Sequence, residues 1–156
     1  MKNKICVLVL ENIRSVENTA SIFRTADRFG VSKIILVGTT PAPLDRFKRE
    51  RRDFAKVALG VENKMAWEYQ KTIKAVIDDL KKEKFKIISL EKTSGAENLK
   101  GFRPKNRFAL IVGNEVTGVS KEVLKESDAV VEIPTQSGKG SLNVSVATGI
   151  ALFVLL

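Results

Sequence analysis

The sequence predicts an α/β fold in which helices flank a mostly parallel sheet. Five short apolar runs are continuous rather than alternating in polarity, which is typical of strands buried on both faces. They are ICVLVL in the opening stretch, KIILVG (33–38), FKIISL (85–90), RFALIVG (107–113) and AVVEIP (129–134). Helical patterns lie between these runs, and strands that alternate with helices build a parallel sheet.

Two of the intervening segments have the apolar periodicity of amphipathic helices. In ENTASIFRTADRFG, Asn18 is the predicted N-cap and Gly30 the predicted stop. In QKTIKAVIDDLKKEKF, apolar residues recur at i, i+3, i+4 and i+7 and most other positions are polar. The apolar faces consist of Ala20, Phe23 and Ala26 in the first helix and Ile73, Val76, Ile77 and Leu80 in the second.

Length and charge narrow the class of protein. With 156 residues, of which 44% are hydrophobic, the chain is predicted to fold as a single domain over residues 1–156. It has 27 Lys and Arg against 18 Asp and Glu, which gives a net charge of +9 and a pI of about 9.8. That excess suits a polyanionic partner, with nucleic acid as the first candidate and an anionic membrane surface as the second.

Residue types that the sequence lacks exclude several chemistries. It has no histidine, which excludes Ser-His-Asp and Cys-His catalysis and an ordinary Cys/His zinc site, so no metal is expected. The single cysteine, Cys6, lies in the first apolar run, so we expect a reducing compartment, the cytoplasm. Neither G-x-x-x-x-G-K-[ST] nor G-x-G-x-x-G occurs, so ATP hydrolysis and a standard dinucleotide fold are poorly supported.

A basic segment interrupts the alternation of strands and helices. In PAPLDRFKRERRDFAK (41–56), six cations face only three acidic residues. The cations are Arg46, Lys48, Arg49, Arg51, Arg52 and Lys56. A solvated charged loop or helix face is one interpretation; because the whole chain is basic, we favour a patch that contacts phosphates and positions RNA or DNA without reading its sequence.

Three loops that follow predicted strands are candidates for a site, because ligands of parallel sheets bind beyond the carboxyl ends of the strands. The first, ENIRSVENTASIFRTADRFG, places Arg24 near the boundary of a helix's apolar face, where a surface salt bridge is the alternative role. The second, GNEVTGVS (113–120), has two glycines around Asn114 and Glu115, as plain turns also do. The third, PTQSGKGSLNVSVATG (134–149), leads into the last helix, where Ser141 and Asn143 could equally be capping residues.

Together, the order and spacing of these loops resemble the three motifs of the SpoU-type, or TrmH-like, branch of the SPOUT RNA methyltransferases. ENTASIFRTADRFG resembles the first motif, LIVGNEVTGVS the second, and EIPTQSGKGSLNVSVATGIAL the third, which is the most specific. KVALGVENKMAWE also resembles the stretch that follows the basic loop in small members. The resemblance covers nearly the whole chain.

The resemblance implies a homodimeric enzyme that uses S-adenosylmethionine to methylate a ribose 2′-hydroxyl of tRNA or rRNA. It implies an α/β sheet with a deep trefoil knot at the C-terminal end. The length of 156 residues leaves no room for a separate RNA-binding domain, so none is expected. Small members without such a domain often act on tRNA, so tRNA is expected before rRNA. The positions that match cofactor-contacting residues are Leu90, Gly113, Ile133 and Leu142. The positions that match the catalytic and RNA-facing set are Asn18, Arg24, Glu115, Ser141 and Asn143.

The expected role of Arg24 depends on its chemistry. Its counterparts in the family are thought to assist deprotonation of the ribose hydroxyl. A guanidinium is a poor base, so a phosphate clamp and electrostatic stabiliser is the physically easier role. The sequence departs from the usual motifs at Thr19, Val116, Thr117 and Ser137, none of which is in the predicted catalytic set.

Two other functions and one other location stay open at this stage. A non-catalytic RNA-binding module could keep this fold, although it would need only the basic surface. A different α/β nucleotide-binding enzyme, such as a reductase, would lack its glycine fingerprint here. The final apolar run, 144–156, is shorter than the ~20 residues of a membrane span and contains Gly149, so no membrane anchor is predicted.

Overall fold

In a computed structural model, which describes residues 4–156, seven strands form one parallel sheet between two layers of helices. The strands are β1 (Ile5–Glu11), β2 (Lys33–Val37), β3 (Trp67–Gln70), β4 (Lys86–Leu90), β5 (Glu97–Asn98), β6 (Arg107–Val112) and β7 (Ala129–Glu132). The helices are α1 (Val16–Arg28), α2 (Arg52–Ala58), α3 (Ile73–Lys82), α4 (Lys121–Glu126) and α5 (Val144–Leu155). The predicted α/β class with a mostly parallel sheet is confirmed.

The strand order across the sheet is β3-β2-β1-β6-β4-β7-β5, and every described pair is parallel. The five inner strands, β2, β1, β6, β4 and β7, are those that the apolar runs predicted. The two edge strands, β3 and β5, were not predicted, because edge strands are covered less completely and carry no continuous apolar run. In β3, Tyr69 is exposed, and both residues of β5 are exposed.

Alternate residues of the central strands supply two hydrophobic cores, one on each face of the sheet. Cys6, Leu8 and Leu10 of β1 pack in the core that α1, α2 and α5 cover. Val7 and Val9 pack in the opposite core under α3 and α4. Burial raises the pKa of the Cys6 thiol to about 12, although a backbone hydrogen bond with Leu110 lowers it slightly, so this cysteine is an inert core residue.

Helix α1 starts one turn earlier than the sequence predicted. Ser15 is the N-cap, and its hydroxyl accepts a hydrogen bond from the backbone N–H of Asn18 at 3.0 Å. The prediction of Asn18 as N-cap was therefore wrong, and its side chain is free to make contacts outside the helix. The predicted stop is correct, because Gly30 follows the C-cap Phe29 with a φ of +72°.

The basic segment is anchored to α1 by an aromatic pair. Phe54 of α2 packs edge-on against Phe23 of α1, with ring centroids 5.1 Å apart and ring planes at 87°. Both side chains are fully buried. The α2 end of the basic segment is therefore held against the helix that carries two predicted site residues. Among residues 4–156, no helix is long and apolar enough to cross a membrane.

Removing one ring of this pair should destabilise the fold strongly. We expect Phe54→Ala to lower the free energy of unfolding by ~3–5 kcal/mol, because it leaves a cavity in a close-packed core. A double-mutant cycle with Phe23→Ala should give a coupling of about 0.5–1.5 kcal/mol for the ring pair. Urea denaturation measures both. Phe47→Ala, at an exposed position of the same segment, is the control and should change stability by less than about 0.5 kcal/mol.

Candidate active site

A cavity of about 240 Å³ lies at the carboxyl ends of β4, β6 and β7. It is bordered by residues from the loops after these three strands and from the start of α5. All four predicted cofactor-contacting residues border it, namely Leu90, Gly113, Ile133 and Leu142. Of the predicted catalytic residues, Glu115 and Ser141 border it as well. Two of the three loops that the sequence singled out, those after β6 and β7, therefore meet at this edge of the sheet, together with the loop after β4.

The turn 113–118 forms one wall of the cavity and is closed on itself. The backbone N–H of Gly118 donates to the carbonyl of Asn114 at 2.9 Å, and the Asn114 N–H donates back to the Gly118 carbonyl at 3.2 Å. Gly118 has a φ of +72°, which disfavours a side chain. A Cβ on Gly113 would collide with the backbone of Gly118. Both glycines are thus required for this close backbone approach.

Two carboxylates that the sequence analysis missed hold the end of this turn. Glu91 accepts a hydrogen bond from the backbone N–H of Val119 at 2.8 Å. Glu11, which is buried, accepts from the N–H of Ser120 at 3.0 Å and from its hydroxyl at 2.6 Å. Both glutamates come at the end of a buried strand, and that position is the signal in the sequence that could have identified them.

A hydrogen-bonded chain of side chains joins the three predicted motifs. The Glu115 carboxylate accepts from the backbone N–H groups of Arg14 and Ser15, at 2.9 and 3.1 Å, and from the Asn18 side-chain amide at 3.1 Å. The Asn18 carbonyl oxygen in turn accepts from the Asn143 amide at 3.0 Å. The structure therefore brings together Asn18, Glu115 and Asn143, which are far apart in the sequence.

These hydrogen bonds keep Glu115 ionised. Burial raises its pKa, but hydrogen bonds from the backbone of Arg14, Glu115 and Ser15 and from the Asn18 side chain outweigh burial and leave the pKa below its ordinary value. A carboxylate with a lowered pKa and several bound donors is a poor proton acceptor. The hydrogen bonds of Glu115 instead indicate that it holds the start of α1 in place.

Asn143 has two functions in the structure. It is the N-cap of α5, and its carbonyl oxygen accepts from the Ser145 N–H at 2.8 Å and the Ser145 hydroxyl at 2.6 Å. Its amide nitrogen donates to Asn18. One side chain thus fixes where α5 begins and ties that point to α1. The capping role that the sequence left open and the site role coexist.

The structure does not bring Arg24 into this chain of hydrogen bonds. Arg24 is exposed on α1, and six residues after Asn18 it points about 120° away around the helix axis. Within residues 4–156, no hydrogen bond or ion pair holds its guanidinium. The surface salt bridge that the sequence left open is therefore not formed, and the guanidinium is available to a ligand.

The basic segment divides into paired and unpaired cations. Arg49 forms an ion pair with Asp45, and Arg51 with Asp53, each at 2.8 Å. Arg46, Lys48 and Arg52 are exposed and have no ion pair within the described part of the chain. Residues 4–156 also contain no group of three or more His, Cys, Asp or Glu side chains arranged to hold a metal ion.

Comparison with known proteins identifies relatives over almost the whole chain. Residues 5–153 match the SpoU rRNA Methylase family. The chain is 28% identical over 156 residues to the tRNA (guanosine(18)-2′-O)-methyltransferase of Borreliella burgdorferi, covering all of this chain and 68% of that protein. It is 33% identical over 154 residues to the 23S rRNA (guanosine-2′-O-)-methyltransferase RlmB of Blochmanniella floridana, covering 97% of this chain and 58% of that protein.

A solved structure has the same fold. The AdoMet-bound rRNA methyltransferase from Sinorhizobium meliloti superimposes with a TM-score of 0.82 at 25% identity, over 97% of this chain and 56% of that one. This chain therefore spans between 56% and 68% of the length of the three proteins compared. The family match over residues 5–153 includes all three loops around the cavity.

Neutralising Glu115 should destabilise the fold in a pH-dependent way. We expect Glu115→Gln to lower the free energy of unfolding by about 1–3 kcal/mol at neutral pH, because backbone N–H groups lose a charged acceptor. The pKa of Glu115 is lower in the folded state, so its stabilisation is complete above the ordinary value of 4.5 and is lost as the pH falls through the folded-state pKa. The difference between wild type and variant should therefore shrink below pH 4.5 in urea denaturation.

Glu50→Gln is the control for this experiment. Glu50 is exposed, and its side chain accepts no hydrogen bond within residues 4–156, so its replacement should leave stability within about 0.5 kcal/mol of wild type. A Glu115→Gln protein as stable as wild type at neutral pH would show that the carboxylate does not hold α1.

Proposed function

Because the chain belongs to the SpoU rRNA Methylase family, we propose that it transfers a methyl group from S-adenosylmethionine to a ribose 2′-hydroxyl of RNA. One observation carries the proposal. The loops after β4, β6 and β7 enclose a cavity, and the side chains of Glu115, Asn18 and Asn143 connect its wall to α1 and α5. A binding module needs only the basic surface, whereas this convergence provides a place for two substrates to meet.

The chemistry of the cavity fits S-adenosylmethionine. Leu90, Ile133 and Leu142 provide apolar surface for an adenine ring. Acidic residues suit the positive charges on the sulfonium and amino groups of this cofactor. The acidic residues at the border are Glu91, Glu115 and Glu132. We propose that Gly113, whose backbone lies at the border without a side chain, lets the cofactor approach the wall closely.

The protein's own contribution is mainly alignment. S-adenosylmethionine, when bound, supplies a methyl group that its positively charged sulfur already activates. The side chains of this chain then have to hold a ribose hydroxyl in line, which replaces a bimolecular encounter by a fixed geometry. As the O–CH3 bond forms and the S–CH3 bond breaks, the hydroxyl proton passes to solvent. Asn143 and Asn18 fix the ends of α5 and α1 against each other. Ser141, exposed at the border of the cavity, is placed to contact the ribose.

We assign Arg24 to the RNA backbone. A guanidinium stays protonated under physiological conditions and offers a planar fork of donors that fits a phosphate. The exposed position of Arg24 and its lack of an ion pair within residues 4–156 leave that fork available. Its charge would stabilise the negative charge that develops on the attacking oxygen and hold the adjacent phosphate.

We propose tRNA as the substrate in preference to rRNA. The Borreliella burgdorferi relative is a tRNA methyltransferase by name, and this chain accounts for 68% of it. The Blochmanniella floridana relative is an rRNA methyltransferase by name, and this chain accounts for 58% of it. The support for tRNA is this larger aligned share of the tRNA enzyme, although the sequence identity is higher to the rRNA enzyme, 33% against 28%.

We also propose a homodimer and a deep trefoil knot. An exposed apolar stripe runs along α5 at i, i+4 and i+7, and such a stripe is unfavourable in water unless a partner covers it. Its residues are Val146, Ile150 and Phe153. The proposal of a knot rests on membership of the SpoU rRNA Methylase family.

Cofactor binding and methyl transfer together test the proposed function. Wild type and Arg24→Ala should both give saturable heat when titrated with S-adenosylmethionine, because Arg24 does not border the cavity. Methyl transfer to total tRNA, followed by mass spectrometry of 2′-O-methyl nucleosides, should fall by at least ~100-fold in Arg24→Ala. Ribosomal RNA in a parallel reaction tests the choice of substrate.

Arg28→Ala is the matched control, since Arg28 is another exposed arginine one turn along α1. The Arg28→Ala variant should bind S-adenosylmethionine and transfer the methyl group as wild type does. Full methyl transfer by Arg24→Ala would show that the assignment of Arg24 is wrong. Wild type that gives no saturable heat would indicate a non-catalytic RNA-binding module instead.

Charging the apolar stripe should separate the protomers. Phe153 is 74% exposed, so Phe153→Asp should cost the monomer little but place a carboxylate in the proposed interface. Sedimentation velocity at micromolar concentration should show wild type as a dimer and Phe153→Asp as a monomer. Leu59→Asp, at an exposed apolar residue outside the stripe, should stay dimeric. A monomeric wild type would contradict the interface.

A further inference from the structure

An aromatic side chain stands exposed at the centre of the basic segment. Phe47 is 62% exposed, in contrast to Phe23 and Phe54, which are fully buried. The guanidinium groups of Arg46 and Arg49 lie 4.7 and 5.0 Å from the centroid of its ring. The proposed contact of the segment with phosphates does not account for this ring, because a phosphate has no affinity for an aromatic face.

The tip that carries Phe47 is an ordered structure. Leu44 and Glu50 form an antiparallel bridge that closes the tip. The Asp45 carboxylate accepts from the backbone N–H groups of Phe47 and Arg49, at 2.8 and 3.0 Å. These bonds fix the backbone on both sides of the ring. The exposure of Phe47 is therefore imposed by the fold of the tip, which presents the ring at a low cost in conformational entropy.

The tip is also coupled to the candidate active site. The Arg51 N–H donates to the Pro43 carbonyl at 3.0 Å, which closes the base of the tip, and α2 follows directly. Phe54 then anchors α2 to Phe23 of α1, the helix that carries Arg24. The segment leaves the carboxyl end of β2, which is the edge of the sheet where the cavity lies.

We propose that Phe47 is a stacking platform for an unpaired base of the RNA, flanked by cations that contact the neighbouring phosphates. The inference rests on the proposed function, in which RNA is the substrate. A duplex keeps its bases stacked on each other, so only an unpaired base can stack on a protein ring. Proteins that bind single strands combine such rings with a positively charged surface, as this tip does.

The two arginines beside the ring differ in their freedom. Arg49 is held by the Asp45 carboxylate, which accepts from its Nε at 2.8 Å, so it stays next to Phe47. Arg46 has no ion pair within residues 4–156 and can leave the ring face for a phosphate when a base arrives. In this proposal, Arg49 stays packed against Phe47, while Arg46 moves away and leaves a face of the ring open to a base.

The experiment compares single-stranded and double-stranded RNA as probes. Fluorescence anisotropy would measure binding of a labelled oligoadenylate about ten nucleotides long and of an RNA duplex of the same length. Phe47→Ala and Phe47→Leu should weaken binding of the oligoadenylate by about 5- to 100-fold, and Phe47→Trp should bind at least as well as wild type. Binding of the duplex should change by less than about twofold in all three variants.

Leu59→Ala is the control for loss of exposed apolar surface, since Leu59 is 65% exposed and lies outside the tip. It should bind both probes as wild type does. Salt gives a second readout, because stacking carries no charge: the ratio of dissociation constants between Phe47→Ala and wild type should stay constant as salt rises, while both constants increase.

Three results would overturn the inference: Phe47→Ala binding the oligoadenylate like wild type, Phe47→Leu retaining full affinity, or an equal loss of affinity for the duplex. The assay of methyl transfer by wild type is independent of these outcomes. Transfer by wild type together with normal oligoadenylate binding by Phe47→Ala would refute the stacking role alone. Absence of transfer by wild type would refute the proposed function, whatever the variants bind.

Discussion

The Glu115 carboxylate is the contact on which the candidate site depends, because it joins the turn after β6 to the start of α1. It accepts from the backbone N–H groups of the N-cap Ser15 and of Arg14, the residue before it, and from the side chain of Asn18. Asn18 passes the connection on to Asn143, the N-cap of α5. Two helices that flank the edge of the sheet are thus positioned by one ionised group whose pKa the contacts lower.

Three carboxylates at the ends of strands or in the turn that follows accept hydrogen bonds from backbone N–H groups. Glu11 and Glu91 bind the end of the turn 113–118, as Glu115 binds the start of α1. Because each of these groups already accepts hydrogen bonds from the fold, none is an apt base for a ribose proton. Within residues 4–156, the side chains that make no hydrogen bond with the fold include exposed ones such as Arg24. In the proposed reaction, these side chains would therefore contribute alignment and positive charge rather than a carboxylate base.

The sequence predicted the centre of the sheet better than its edges, and the site residues better than their connections. Strands such as β1 and β6 are buried on both faces and appear as continuous apolar runs, whereas β3 and β5 lack that signal. The sequence predicts Asn18 as the cap in place of Ser15, because both residue types are good caps and the pattern does not distinguish them. The bond between Asn18 and Asn143 joins residues 125 apart, and no local pattern encodes such a distance.

The distribution of charge explains how one small chain could hold a cationic cofactor beside a polyanion. The chain carries a net charge of +9, yet three carboxylates border the cavity, Glu91, Glu115 and Glu132, against one cation, Lys92. A phosphate is repelled from such a border, while a sulfonium is attracted to it. Several unpaired cations lie outside the border of the cavity, among them Arg24 and those of the segment that carries Phe47. RNA held by those cations would meet the cavity more favourably through a neutral group than through a phosphate, and the ribose 2′-hydroxyl is one such group.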